Sequence, residues 1–272
     1  MKQGKLAGLA GVLAMVAAAA HADVTLSLGQ AGQGGTTVIQ VHAGMARLSD
    51  TAASDYLVFF SRRPRLIQVD PDEGIYLEID RQLLERQARL LADVRSTMEA
   101  RLQEMRRQLD SLPPAQKRIV EQQMGDMLAP GESGDAVRPP PLSTRIQAHD
   151  EVAGIPCQRY EVYQGREPVS RLCLAKAADA GVSAADYHTL KAMMDFLGDL
   201  YARMGRMAPV TAAPGIMAAG GLEGIPVAVD DLREGRHYRL QAVGRKPLQD
   251  SLFSGYRTLR RSDLTALPAP DS

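Results

Sequence analysis

Gly154 to Leu174, GIPCQRYEVYQGREPVSRLCL, holds both cysteines of the 272-residue chain and decides how the rest is read. Tyr160, Val162, Leu172 and Leu174 keep an alternating apolar face, and Gln164-Gly165-Arg166-Glu167 supplies a polar turn between the two runs. The stretch therefore predicts a half-buried antiparallel hairpin. Seventy residues on, Gly224-Ile225-Pro226 repeats Gly154-Ile155-Pro156, and Gly235-Arg236 repeats Gly165-Arg166 at the same offset. Proline opens a strand but cannot donate to a central ladder, so the echo predicts a second hairpin entered at Gly-Ile-Pro and turned at Gly-Arg.

Residues 1–22 read as a signal peptide, with Lys2 and Lys5 as the positive region, Leu6 to Ala20 as the apolar region and Ala20-His21-Ala22 as the cleavage site. We expect an exported, periplasmic chain beginning at Asp23, without a lipidation cysteine and without a membrane span. Without Lys2 and Lys5, 30 basic residues face 32 acidic ones, and this balance argues against a nucleic-acid partner.

Export places Cys157 and Cys173 where disulfides persist, and a turn centred on Gly165 sets them opposite each other, so we expect them bonded. That register also opposes Arg159 to Arg171, whereas a two-residue shift opposes Glu161 to Arg171 and leaves the cysteines diagonal. A covalent cross-link of a few kcal/mol outweighs a surface pair worth less than about 1 kcal/mol, which favours the first register. A redox-active or metal-binding thiol pair would need a Cys-x-x-Cys spacing or neighbouring histidines, which are missing.

Along the chain, Val24 to Leu28, Thr36 to Val41, Met45 to Ser49, Tyr56 to Phe60, Arg65 to Val69 and the alternation from Ile75 to Ile79 predict a meander of six strands. At Asp80 the period changes to 3.6, and Leu84, Leu91, Val94, Met98, Met105 and Leu109 predict a long amphipathic helix. Pro113-Pro114 ends it and can start a second helix, residues 115–128, closing a helical hairpin over 80–128. Residues 129–141 read as a linker rich in proline, glycine and charge. Strands resume at Leu142 to Val152, and a capping box at Ser183 and Asp186 opens a helix with Tyr187, Leu190, Met194, Leu197, Tyr201 and Met204 on one stripe. A last strand is expected near Ser251 to Leu259, followed by a disordered tail over 263–272. This order predicts an α+β fold with helices covering one face of a strongly curved antiparallel sheet, as a single domain over 23–262.

Four features resemble the periplasmic LolA/LppX-like superfamily: the exported chain, Gly-Met-Ala-Arg-Leu at 44–48 after a Gly-rich turn, Gly-Ile-Pro-Cys-x-x-Tyr-x-Val at 154–162, and Gly-Ile-Pro-Val at 224–227 ahead of Gly-Tyr-Arg at 255–257. The resemblance implies an unclosed β-barrel lidded by helices, whose members hold acyl chains of lipoproteins or lipids in a hydrophobic cavity. This chain departs from it in having no tryptophan and in inserting a charged helical hairpin.

No metal site, cofactor or enzymatic constellation is read from the sequence. His42, His149, His188 and His237 lack ligand spacing, Met124-x-x-Met127 and Met204-x-x-Met207 lack a histidine that would favour copper(I), and Asp230-Asp231 and Asp70 to Glu73 read as turn residues. The expected function is binding of an acyl or other hydrophobic ligand between sheet and lid, with Tyr160, Val162, Leu190, Met194, Leu197, Tyr201 and Met204 lining it. The alternative is an envelope interaction module whose helical hairpin docks a protein partner.

Overall fold

The computed structural model describes residues 23–31, 35–110, 113, 142–204 and 221–262. The expected signal peptide, second helix, linker and tail, and with them Met124, Met127 and Met207, lie outside the described residues.

Among the described residues twelve strands form one sheet. In chain order they are β1 (Val24–Gln30), β2 (Thr36–His42), β3 (Met45–Asp50), β4 (Tyr56–Phe60), β5 (Arg65–Asp70), β6 (Ile75–Asp80), β7 (Leu142–Val152), β8 (Ile155–Gln164), β9 (Glu167–Ala175), β10 (Ile225–Asp231), β11 (Arg236–Gly244) and β12 (Arg260–Ser262). Across the sheet the order is β12-β6-β5-β4-β3-β2-β1-β11-β10-β9-β8-β7, so the sheet is not closed. Every pairing is antiparallel except β12 on β6. The six expected strands of the meander all form. Asp70 and Asp231 hold turns, as read, by accepting the backbone N–H of Glu73 and of Arg233.

Both Gly-Ile-Pro segments open strands, β8 and β10, each after a glycine of positive φ, 78° at Gly154 and 127° at Gly224. Gly165 and Gly235 adopt φ of 63° and 64° in the matching turns, left-handed backbone that glycine reaches without a Cβ clash. The echoed sequence therefore encodes the same device twice.

Among the described residues two helices of substantial length accompany the sheet: α1 (Arg81–Asp110) and α2 (Ala184–Met204). Asp80 caps α1 by accepting the N–H of Leu83 at 2.7 Å, and Ser183 caps α2 through the expected box, its Oγ accepting the N–H of Asp186 at 3.1 Å. The helical cover is more modest than expected. α2 packs on the sheet, whereas most of α1 stays exposed between a buried Leu84 and a buried Leu109.

The sheet curls around α2. Phe196 of α2 meets Phe59 of β4 with ring centroids 5.6 Å apart, while Tyr201, five residues later, accepts a 3.5 Å hydrogen bond from Gln164 at the end of β8. Those strands are seven steps apart in the sheet, about 34 Å if it were flat. Five helical residues rise only about 7.5 Å, so side chains alone cannot span that distance and the strands on both sides rise toward the helix.

The opposite face is covered at one end by the C-terminal segment. Residues 245–259 cross the back of the sheet, place Phe253 and Tyr256 against Val58, Ile67 and Val69, and deliver β12 to the edge beside β6. The strand expected near Ser251 to Leu259 is instead a helical turn, α3 (Ser251–Ser254), and a 3₁₀ turn (Gly255–Thr258). Their spacing turns Phe253 and Tyr256 inward together, which an extended backbone crossing that face would not do.

Segment 81–141 connects β6 to β7, which are ten steps apart near the two ends of the sheet order.

Candidate ligand-binding face

Strand alternation sorts the side chains into two layers. Toward α2 point Leu26 and Leu28 of β1, Ile39 and Val41 of β2, Phe59 of β4, Leu66 of β5, Val162 of β8 and Leu172 of β9, all buried in one cluster. From α2 the same cluster takes Leu190, Met193, Met194, Leu197 and Leu200.

Most of the residues expected to line a ligand site thus converge. Val162, Leu190, Met194 and Leu197 are buried together, and Tyr160 and Tyr201 pack at the margin, partly exposed. Met204 ends α2, and its side chain lies outside the described residues. The stripe reading missed Met193, Phe196 and Leu200, because α2 sits in a curved trough and is enclosed on more than one side. Two methionines in succession, Met193-Met194, were the available sign of this wider apolar arc.

Few polar contacts tie α2 down. Tyr187 donates to Glu223 at 2.6 Å and accepts the Gly224 N–H at 2.9 Å, and burial followed by the Glu223 bond raises its phenol above the usual range. The Tyr201–Gln164 bond at the other end is long. Asp195 also accepts the Gly221 N–H at 3.0 Å, and the buried contacts of α2 with the sheet are apolar.

On the reverse face, His42 lies between two carboxylates, with Nδ1 2.7 Å from Asp23 and Nε2 2.8 Å from Asp250, and stacks on Phe253. The Asp23 bond is the largest influence and outweighs partial burial, so the imidazole titrates above its ordinary value. This bridge latches the C-terminal segment to the sheet, a role the scattered spacing of histidines in sequence did not reveal. Arg47 is also on this face, 4.3 Å over the Tyr56 ring, and burial lowers its pKa.

Cys157 and Cys173 are bonded, with Cα atoms 5.5 Å apart. The expected register is wrong. Glu161 opposes Arg171, Cys157 opposes Ala175 and Cys173 opposes Arg159, so the bonded cysteines are diagonal. The turn pairs Gln164 with Glu167 and Tyr163 with Pro168, after which a bulge shifts the ladder by one residue. Pro168, which has no N–H to give, sits at this irregularity. The disulfide and the favourable charge pair are therefore compatible, where the sequence had set them in competition.

Among the described residues no helix is long and apolar enough to cross a membrane, and no group of three or more His, Cys, Asp or Glu side chains is placed to hold a metal. No protein-family model matches the chain, and no curated protein matches it.

Proposed function

We propose that this chain is an exported, non-enzymatic periplasmic protein of LolA-like architecture, an unclosed barrel that binds an acyl chain or similar apolar ligand between its curved sheet and α2. The observation that carries this reading is a single continuous apolar face, gathered from both halves of the sheet and closed by one methionine-rich helix with few polar ties. Side chains of α2 fill the face themselves, so a ligand enters by replacing them as α2 moves off the sheet. Each CH₂ group transferred is worth about 0.8 kcal/mol, and flexible methionines adapt to chains of different shape. The bonded cysteines and the read signal peptide support an oxidising, extracytoplasmic location.

A second reading is an envelope interaction module, and α1 favours it. Leu90, Val94 and Met98 are 55%, 64% and 55% exposed, a stripe of three apolar residues four apart with no cover among the described residues. On that reading the stripe receives an apolar helix or strand of a protein partner.

One experiment separates the two. The mature, disulfide-bonded chain is titrated with a fluorescent polyene fatty acid, alongside a Leu90→Glu/Val94→Glu variant. Binding that saturates at one ligand per chain and survives in the variant supports the carrier. No binding by either protein rejects the carrier, and loss of a co-purifying envelope protein in the variant supports the module.

A further inference from the structure

Cross-strand register explains a hollow on the face turned away from α2. One row across the sheet reads Arg159 of β8, Cys173 of β9, Ala228 of β10 and Arg239 of β11, and the next reads Glu161, Arg171, Asp230 and His237. Two small, buried residues, Cys173 and Ala228, therefore stand between long ones and form a floor. Arg159 and Arg239 rise at either side of it and Arg171 beside it, enclosing about 130 Å³. The flanking arginines are three strand steps apart, about 14 Å between backbones, which two extended arginine side chains can close from both sides.

We propose that this hollow is a binding site for a phosphate-class oxyanion. Each guanidinium is already oriented by one carboxylate through a single nitrogen: Nη2 of Arg159 with Asp150, Nε of Arg171 with Glu161 at 3.4 Å, and Nη1 of Arg239 with Asp230 at 2.7 Å. Guanidinium carries five N–H donors in a planar fork, so these pairs set direction and leave an edge to offer. The three arginine side chains are 59%, 59% and 44% exposed, where ion pairs are weak and an entering anion competes readily. Asp150, Asp230 and, beside Arg171, Glu161 balance the three arginines, so what the hollow offers an anion is the N–H donors these single-nitrogen pairs leave unused and not a surplus of charge. A tetrahedral oxyanion accepts from three converging directions, whereas a lone carboxylate offers two oxygens in one plane. The site does not depend on the apolar face and would exist in either functional reading.

The test uses the whole mature chain and inorganic phosphate. Calorimetry is expected to show saturable binding of one phosphate per chain that weakens with ionic strength. In the wild-type protein, the Nε–H signals of Arg159, Arg171 and Arg239 should shift with phosphate while that of Arg107 does not. Arg159→Gln and Arg239→Gln should each weaken binding about tenfold. Glycerol 3-phosphate and phosphatidylglycerol vesicles identify the source: binding to vesicles that both substitutions abolish indicates a lipid headgroup, and binding to free phosphate alone indicates a soluble anion. Absence of saturable binding, or shifts in none of the three arginines, overturns the proposal.

Discussion

Leu197→Ala tests the claim that α2, and not α1, closes the apolar face. Leu197 is fully buried at the centre of the cluster that joins α2 to both halves of the sheet. The substitution removes three carbon groups, about 2.5 kcal/mol at roughly 0.8 each, and the incompletely relaxed cavity raises the expected loss to about 3–5 kcal/mol. For a chain of this size that corresponds to a fall in Tm of roughly 10 °C. Val94→Ala on α1 is the control. Val94 is 64% exposed, and alanine is the better helix former, so the change should be neutral or slightly stabilising, within about 0.5 kcal/mol. Urea unfolding of the disulfide-bonded chain from residue 23, followed by far-UV circular dichroism, measures both with an unchanged m value. A loss under about 1 kcal/mol for Leu197→Ala, or an equal loss for Val94→Ala, would refute the packing argument.

Three further outcomes follow from particular contacts. Reducing the Cys157–Cys173 bond, with a sequence separation of 16, should cost about 3 kcal/mol in urea unfolding. His42 titrates above its ordinary value, so its bridge to Asp23 and Asp250 contributes fully below about pH 6.5 and is lost as pH rises through the folded pKa. Amide exchange in residues 245–259, corrected for its intrinsic pH dependence, should show protection falling over that window in the wild type and not in His42→Gln. Gly224→Ala should destabilise by at least about 2 kcal/mol, because φ is 127° and the new Cβ would lie 2.9 Å from the Ala175 carbonyl oxygen; Gly154→Ala, in open space, should cost only about 1.

The parts of the fold legible in sequence were those carried by local chemistry. Alternation and turn residues placed β1 to β11 but not β12, and the Ser183–Asp186 box placed α2. What stayed hidden depended on distant partners. The run Tyr56-Leu57-Val58-Phe59-Phe60 is apolar on both sides because Phe59 faces α2 while Val58 faces Phe253 and Tyr256, yet nothing local names the segment that covers the second face. A 3.6 period in α1 reports that the helix is amphipathic, and it says nothing of whether a partner covers Leu90 and Val94. The hairpin register moved by two residues, one because the turn centres between Gly165 and Arg166 and one because of the bulge beside Pro168, and neither is marked by the apolar alternation. Of the candidate site, the buried lining could be read because burial leaves an apolar periodicity. The arginine-rimmed hollow could not, since it is assembled from residues on five strands whose order only the tertiary fold sets.

Native mass spectrometry of the disulfide-bonded chain from residue 23, purified without detergent and then extracted with organic solvent, tests the ligand-binding account most directly. The account predicts a reproducible added mass that extracts as a lipid or fatty acid and returns when that species is added to the stripped chain. A bare disulfide-bonded chain that also fails to take up fatty acids or lipids would contradict it and leave the exposed stripe of α1 as the surface to pursue.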